Sequence, residues 1–375
     1  MATPLDYTAA DIQVLEGLQP IRLRPGMYVG GTDAKAMHLC LWEVIGNAFD
    51  ECIAGHGRHI EIAFDGTRVT VEDDGRGIPV PAIAAVFTQL HSGGAWRRDH
   101  QHLSPGLHGI GAVVANALAS ELEVTVWRDG HEFVHRFERG VAIGEVRCVR
   151  PVSRTGTRVS FVPDVTIFGD ATWEVAAIAA RCRTLAALWP GLSIAVDGAI
   201  HAYGSLADLL AELAGQDLID PLVVHRETET MLIQLGLAWT RDRTSSLEVL
   251  INSSPCIEGT HVEGLHAALF EVIGPHLHLT RKRFRDRITR GLVGVLSVQL
   301  SHPSFGNPTR DWLRNPEVGA AVHAVVSAEL ARHLANVPAL LDAMVLDLAP
   351  RVRVRRDGRG SEAPVRTRLR RRRPA

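Results

Sequence analysis

The sequence predicts an α+β fold, on three observations. Apolar residues recur at helical spacing over 34–55, a two-residue alternation begins at His59, and beyond residue 230 strand-like runs exchange with helical ones. In the first helix Leu39, Trp42, Ile45, Phe49 and Cys52 fall three and four residues apart, and Gly55 and Gly57 provide the stop. A hairpin follows. Ile60, Ile62 and Phe64 alternate, Asp65 and Gly66 make the turn, and Val69 and Val71 alternate on the return strand. Residues 75–111 hold seven glycines and three prolines, a density that predicts mobile loops around a ligand. Alternation resumes over 122–127 and 157–162, so the first unit is expected to lay helices on one antiparallel or mixed sheet. Strands are predicted at 231–239, 247–251 and 292–300, with helices at 261–272 and 316–335; this order implies a right-handed crossover in a second α/β unit. The expected division is 1–210, 211–345 and a basic, disordered tail over 346–375.

Composition supports two units. The 375 residues include 34 Gly, 19 Pro and 46% apolar residues, which excludes a disulfide mini-protein, a fibrous repeat and a wholly disordered chain. The formal net charge of −2 conceals an asymmetry, because the segment from Arg351 onward carries eleven Arg against Asp357 and Glu362. Such a tail attracts polyanions such as DNA, and it equally suits a solvated extension. Five cysteines, at 40, 52, 148, 182 and 256, form no CxxC pair, which argues against a zinc site or a disulfide framework. No apolar run reaches the roughly 18 residues a membrane helix needs, and Met1 to Ala10 lacks a secretory signal pattern, so a cytoplasmic protein without a membrane partner is expected.

Four stretches carry chemistry. Glu43 and Asn47 are four apart on the first helix and share a face, with Asp50 and Glu51 one turn on. A carboxylate there can polarise a water for attack on phosphorus, and an amide oxygen can complete the shell of a hard cation such as Mg²⁺. The same positions suit a solvated helix face, although Trp42, Val44 and Ile45 leave Glu43 little solvated surface. Asp73, Asp74, Gly75, Arg76, Gly77, Ile78 and Pro79 follow a strand directly. A carboxylate at a strand end can accept the exocyclic amine of a purine, with glycines admitting the base to the backbone; the alternative is a plain Asp–Gly turn. Gly106, Leu107, His108, Gly109, Ile110 and Gly111 run into the apolar helix 112–118, exposing N–H groups at a helix start as a phosphate cradle does. No Gly-Lys-Ser/Thr follows, so this is not a Walker A loop. Thr155, Gly156 and Thr157 add a tight turn entering a strand.

The order of these stretches resembles the GHKL ATPase superfamily, and within it the DNA gyrase B and topoisomerase IV B family. The resemblance is carried by LRPGMYVG (23–30), EVIGNAFDE (43–51), EDDGRGIP (72–79), GLHGIG (106–111), TGT (155–157), IEGTHVEGL (257–265) and GLVGVLSV (291–298). It implies a Bergerat-type ATPase sandwich followed by a ribosomal-S5-like transducer domain. It further implies ATP with Mg²⁺, Glu43 as the base that activates water, Asn47 as the metal ligand, and Asp50 beside the nucleotide. Asp73 would read adenine with Gly77 and Thr157, and Arg76 and Ile78 would border the pocket where coumarin-type inhibitors compete. Gly106, Leu107, His108, Gly109 and Gly111 would close over the triphosphate, and Tyr7 and Ile12 would reach the partner in an ATP-bound homodimer. DNA and a cleavage subunit of gyrase-A type are the implied partners.

Departures from the family pattern are specific. The transducer loop reads Pro308, Thr309, Arg310 where Gln-Thr-Lys is usual, which keeps a positive charge with a different geometry. Gly46 stands before Asn47 in place of Asp, Gln101 and His102 replace a Tyr-Lys pair, and Pro105 replaces a glycine. No Glu-Gly-Asp-Ser-Ala stretch or Asp-x-Asp site occurs, so a metal-binding cleavage domain is expected to be missing. The resemblance implies an ATP-driven dimer clamp acting in DNA topology, and the changed Pro308, Arg310 and lid motivate the alternative of a non-hydrolysing nucleotide-binding regulator or decoy.

Overall fold

A computed structural model of the chain describes residues 15–90, 92, 110–215, 220–240, 245–277, 279–288, 291–307, 310–338 and 340–341. Two short helices, α1 (Gln19–Leu23) and α2 (Gly26–Val29), lead into α3 (Ala34–Ile53). Asp33 caps α3 by accepting a 2.9 Å bond from the Ala36 amide, which satisfies one of the free N–H groups at its start. The buried stripe of α3 runs through Met37, Leu41, Val44, Ile45 and Ala48. Leu39, Trp42 and Cys52, expected within that stripe, sit half-buried on its flank. The flank is covered too, by the Arg181 guanidinium 3.7 Å above the Trp42 ring, so burial on α3 is broader than one stripe.

The predicted hairpin forms as β1 (His59–Asp65) and β2 (Arg68–Asp73), paired from Ile60↔Asp73 to Asp65↔Arg68. The region read as continuous loop contains a 3-10 turn over Val80–Ala82 and a short helix, α4 (Ile83–Thr88). Ile83 and Phe87, four apart, are both buried there, and the Asn116 amide donates to the Phe87 carbonyl at 2.8 Å, so local packing overrides the surrounding glycines. Then come α5 (Gly111–Leu118), β3 (Ala119–Arg128), β4 (His131–Glu138), β5 (Val141–Pro151), β6 (Gly156–Pro163), α6 (Val165–Phe168), α7 (Val175–Leu188), β7 (Ser193–Val196) and β8 (Ala199–Ala202). The eight strands form one sheet in the order β5-β4-β3-β6-β2-β1-β7-β8, antiparallel except where β1 and β7 run parallel. It is the expected mixed sheet, longer at both ends. Strand β5 carries almost no buried side chain, which is why no apolar alternation announces it.

The remaining elements are α8 (Leu206–Ala214), β9 (Leu222–Glu227), β10 (Met231–Trp239), β11 (Ser246–Ile251), β12 (Ser254–Pro255), β13 (Glu258–Gly259), α9 (Thr260–Leu277), α10 (Arg281–Ile288), β14 (Leu292–Leu300), β15 (Trp312–Leu313) and α11 (Pro316–Asn336). A second sheet has the order β12-β11-β14-β10-β9, with β11 and β14 as parallel neighbours joined through α9 and α10, matching the predicted strand, helix, strand succession. Strands β10 and β14 are buried at every position, the pattern of a sheet covered on both faces. Helices α9 and α11 share one core with the second sheet, while Leu206 and Leu210 of α8 lie against Gly236 of β10. Residue 210 thus lies inside α8, which also packs on α7, the helix resting on β7 and β8. The Gln234 amide of β10 donates to the Leu188 carbonyl of α7 at 2.7 Å, so the α7–α8 layer is shared by both sheets.

Helices α9 and α11 meet at Gly264 and Gly319 with no room for a side chain, since a Cβ on Gly264 would collide with the Gly319 carbonyl oxygen. Gly264→Ala should therefore force the helices apart and lower stability by about 1–3 kcal/mol, the usual range for overpacking, read as a fall in the denaturant midpoint.

Candidate active site

Three strands converge on Asp73. It ends β2 opposite Thr157 of β6, and Thr157 in turn faces Val126 of β3. Gly156, at φ +140°, lets the β6 backbone approach the Asp73 carbonyl where no Cβ fits. The Asp73 side chain is buried and accepts a 2.8 Å bond from the Gly75 amide. Burial pushes its carboxyl up to about 7, reinforced by the negative charges of Glu51 and Asp74 and opposed by hydrogen bonds at Gly75 and Thr157. Its neighbour Asp74 points the other way, is exposed, and accepts from the Arg58 and His59 amides at 2.8 and 2.9 Å, capping the start of β1.

The loop after β2 is fixed by charge. Glu51 of α3 takes three bonds from Arg76, one from its amide at 3.1 Å and two from its guanidinium at 3.0 and 2.8 Å. That forked pair holds the Glu51 carboxyl below its ordinary range despite partial burial. Glu51, one of the acids read on the Asn47 face, is therefore committed to holding the loop. Gly77, at φ +75°, sits against the Trp127 carbonyl, and its own carbonyl accepts from Arg128 at 2.6 Å. Ile78 lies half-buried against the first core.

The catalytic candidates of α3 lie across from the start of α5. Glu43 is half-buried, and Gly111, the first residue of α5, leaves no room for a Cβ against its carboxylate. Desolvation pushes the Glu43 carboxyl above its usual value, and the positive fields of Arg310 and Arg181 draw it partway back. Asn47 is exposed one turn on, and Asp50 is half-buried beyond it. Arg310 reaches this neighbourhood from the segment after β14, with a left-handed backbone at φ +58° and its amide bonded to the Asn307 carbonyl at 3.2 Å. Glu43, Asn47, Asp50, Asp73, Arg76, Gly77, Ile78, Gly111, Thr157 and Arg310 all fall on described segments. Tyr7, Ile12, Gly106, Leu107, His108, Gly109, Pro308 and Thr309 lie outside the described residues.

Two residues of this region escape a reading of motifs. Arg128 ends β3 and donates into the Asp73–Gly77 loop, and Arg181 of α7 stands close enough to Glu43 for its charge to act there. The signal for Arg181 is its context: Arg181 and Arg183 are the only charged residues of α7, an Ala-rich helix whose other residues are apolar except for Thr184.

Comparison with known proteins adds two matches along the chain. Residues 32–167 match the family described as histidine kinase-, DNA gyrase B-, and HSP90-like ATPase, and residues 205–360 match the DNA gyrase B family. A solved 43K ATPase domain of gyrase B from Thermus thermophilus is 30% identical, with a TM-score of 0.68 over 88% of this chain and 93% of that one. The chain belongs to the DNA gyrase B and topoisomerase IV B family. The B subunit of DNA topoisomerase 4 from Caulobacter vibrioides is 34% identical over 98% of this chain and 59% of its own length. The DNA gyrase B subunit from Enterococcus faecalis is 32% identical over 89% of this chain and 56% of its own length. The chain thus spans rather more than half the length of these curated relatives. The fold is the mixed α+β arrangement of gyrase B ATPase structures, the ATPase sandwich and transducer that the motifs implied.

A buried carboxyl raised to about 7 is bound to its proton in the folded chain and free of it in the unfolded chain between about pH 4 and pH 7, so native stability falls across that window as pH rises. Asp73→Asn removes the ionisation. It should raise the thermal midpoint over wild type at pH 8, with the gap closing as pH falls toward about 4. Thermal scans of both proteins across pH check this.

Proposed function

We propose that this chain is the ATP-binding and ATP-hydrolysing part of a type II topoisomerase subunit of gyrase B type. The observation that carries the reading is the meeting of Glu43 with Gly111 at the start of α5, on the helix whose neighbouring loop is pinned to the buried Asp73. In this reading Asp73 accepts the adenine amine and Thr157 flanks it, while Gly77 lets the base approach the backbone. The triphosphate runs toward the N-terminus of α5, where free N–H groups and the helix dipole favour anionic oxygens. Glu43 takes a proton from a water as its oxygen attacks the γ-phosphorus in line; the bond to the bridging oxygen breaks, and ADP leaves with that electron pair. Arg310 places positive charge where the transferring phosphoryl group gathers negative charge. The barrier is lowered mainly by position and field.

Among the described residues no cluster of three or more His, Cys, Asp or Glu side chains is placed to hold a metal, so an all-protein cage is not the fit here. The exposed Asn47 amide suits a Mg²⁺ shared with nucleotide phosphates and water, and Asn47 is the residue proposed to hold it. When bound, the ion would neutralise phosphate charge.

The proposal extends to assembly. It divides the chain into a nucleotide unit over 1–210, a transducer over 211–345 and a basic tail over 346–375, in a homodimer closed by ATP through the N-terminal segment with Tyr7. Cleavage of DNA would require domains outside this chain or an A-type partner. The Thermus thermophilus relative was solved with an aminocoumarin, and the same compound class is proposed to compete with ATP here. Helix α10 supports a DNA partner: Phe284 and Ile288 anchor it in the second core, while Arg281, Lys282, Arg283 and Arg285 face solvent. Both α10 and the Arg-rich tail offer charge to phosphates without reading bases. A cytoplasmic setting completes the proposal, and no described helix is long and apolar enough to cross a membrane.

Glu43→Gln should abolish phosphate release while leaving ATP binding intact, and the wild-type rate should rise faster than linearly with protein concentration if the clamp must close. Turnover unchanged in the variant would sink the base assignment; bound nucleotide with no wild-type turnover would turn the reading to a nucleotide sensor. For DNA, removing residues 351–375 should flatten the slope of log affinity against log salt by roughly 0.9 for each phosphate that the tail neutralises. An unchanged slope would take the tail out of DNA binding and leave α10 as the candidate.

A further inference from the structure

Arg181 is a half-buried cation, its Nε shut off from solvent, that the proposed mechanism does not use, and its partners come from both halves of the fold. Its Cζ lies 3.7 Å from the centroid of the Trp42 ring, one residue from Glu43 on α3. Its Nη2 donates to the Ser253 carbonyl at 2.6 Å, in the turn between β11 and β12. That turn is rigid. Asn252 and Ser253 both have left-handed backbones, at φ +47° and +62°. The Asn252 side chain bonds both the carbonyl and the amide of Leu300, at 2.9 and 2.8 Å, and Gln299 donates to the Ser253 hydroxyl at 3.1 Å. Leu300 is the last residue of β14, from which the segment carrying Arg310 departs. The path from Glu43 through Arg181, the Ser253 turn and the end of β14 therefore returns to Glu43 by way of Arg310.

Charge closes the same ring. Among the described residues, the groups that face Glu43 electrostatically are Arg181 from α7, Arg310 from the segment after β14 and the Cys40 thiol one turn back on α3; α5 carries no titratable side chain. Arg181 is faced by Glu248 of β11, by Cys182 of its own helix and by Glu43. Glu248 in turn accepts a 2.5 Å bond from the Thr184 hydroxyl of α7 and feels Arg183 as well as Arg181. A single guanidinium thus divides its field between an acid of the second sheet and the acid of the candidate site.

We infer that Arg181 is a positioning residue for Glu43, one that couples water activation to the seating of the second sheet. Clamped between the Trp42 ring and the Ser253 carbonyl, the guanidinium keeps positive charge beside Glu43 only while the Asn252–Ser253 turn is docked. Displacement of that turn frees the fork, a buried cation without its carbonyl moves toward water, and Glu43 loses the field that favours its ionised, proton-accepting form. Arg suits this task better than Lys, because one planar group can stack on an indole and donate along its edge at the same time. The inference rests on Glu43 being the base.

The test is the pH profile of kcat for phosphate release by the full chain, with ATP affinity and thermal midpoint measured alongside. Removing the positive charge in Arg181→Gln raises the pH at which the base ionises. Its acidic limb should move up by about one unit or more, so that kcat on that limb falls about tenfold and recovers at higher pH, with ATP affinity kept. Arg181→Lys, which keeps the charge, should restore most of the limb. Glu248→Gln still accepts the Thr184 hydroxyl yet removes the competing acid, and should shift the limb the opposite way; it decides the matter if Arg181→Gln does not fold. A general loss of structure would lower kcat at every pH without moving either limb. Limbs unmoved in both variants, with Glu43→Gln inactive, overturn the role of Arg181 alone, whereas turnover surviving in Glu43→Gln overturns the base assignment and this inference together.

Discussion

The half-buried carboxyl of Glu43 is faced by the charges of two arginines, and much of the structure is arranged to hold them there. Without such counter-charges a carboxyl cut off from water is driven toward its protonated form. Glu43 is matched from two directions, by Arg181 on the helix layer between the sheets and by Arg310 on a segment leaving the second sheet. Each cation in turn depends on its own supports: Arg181 on the Trp42 ring and the Ser253 carbonyl, Arg310 on a left-handed turn closed to Asn307. Neither sheet alone would complete the environment of Glu43. This explains why an α7–α8 layer serves both, with Gln234 bonded across it to Leu188 and Glu248 bonded across it to Thr184.

The Asp73 end of the site follows a different logic. Asp73 and Asp74 are consecutive, yet one is spent on structure and the other kept from it. Asp74 is exposed and satisfied by two amides at the start of β1, so it fixes where β1 and β2 meet. Asp73 is driven inward by that same fixed geometry, where burial raises its carboxyl to about 7 and only the Gly75 and Thr157 contacts relieve it. A buried acid with so little compensation lowers stability, the usual cost of a preorganised polar site in a packed interior. The glycines at 77 and 156 belong to the same arrangement, for each stands where a Cβ would strike a backbone carbonyl of the facing strand.

Helix α3 and the first hairpin were legible because their apolar periodicity mirrors how they are buried, and the central strands β10 and β14 because a nearly continuous apolar run marks a strand covered on both faces. Strand β5 was not, since an edge strand exposed along nearly its whole length carries no inward stripe. Helix α4 was hidden for the opposite reason: a single buried turn of Ile83 and Phe87 is too short to stand out among seven glycines. Within the site, motif and spacing placed Glu43, Asp73, Gly77 and Thr157 on elements that the fold brings side by side. The partners that tune those residues were invisible, because Arg181 and Arg128 act through long-range contacts that leave no local pattern. Glu51, read only as lying one turn beyond Asn47, has its partner in the Arg76 fork that holds the loop.

The departure at residue 310 can be weighed on the same terms. A lysine in that loop would present a compact, strongly hydrated charge, whereas Arg310 presents a planar fork and is held by a turn that most side chains avoid. If the sole task of the residue were a geometrically exact bond to phosphate, the exchange would be severe. The electrostatic task is less demanding, because a field from roughly the right quarter suffices to favour the ionised base. Arg181 supplies part of that field as well, so a changed shape at 310 does not strip Glu43 of its counter-charge. With a mobile lysine replaced by a fork on a left-handed turn, the field at Glu43 comes from two guanidinium groups, one of them held in place by the Ser253 carbonyl.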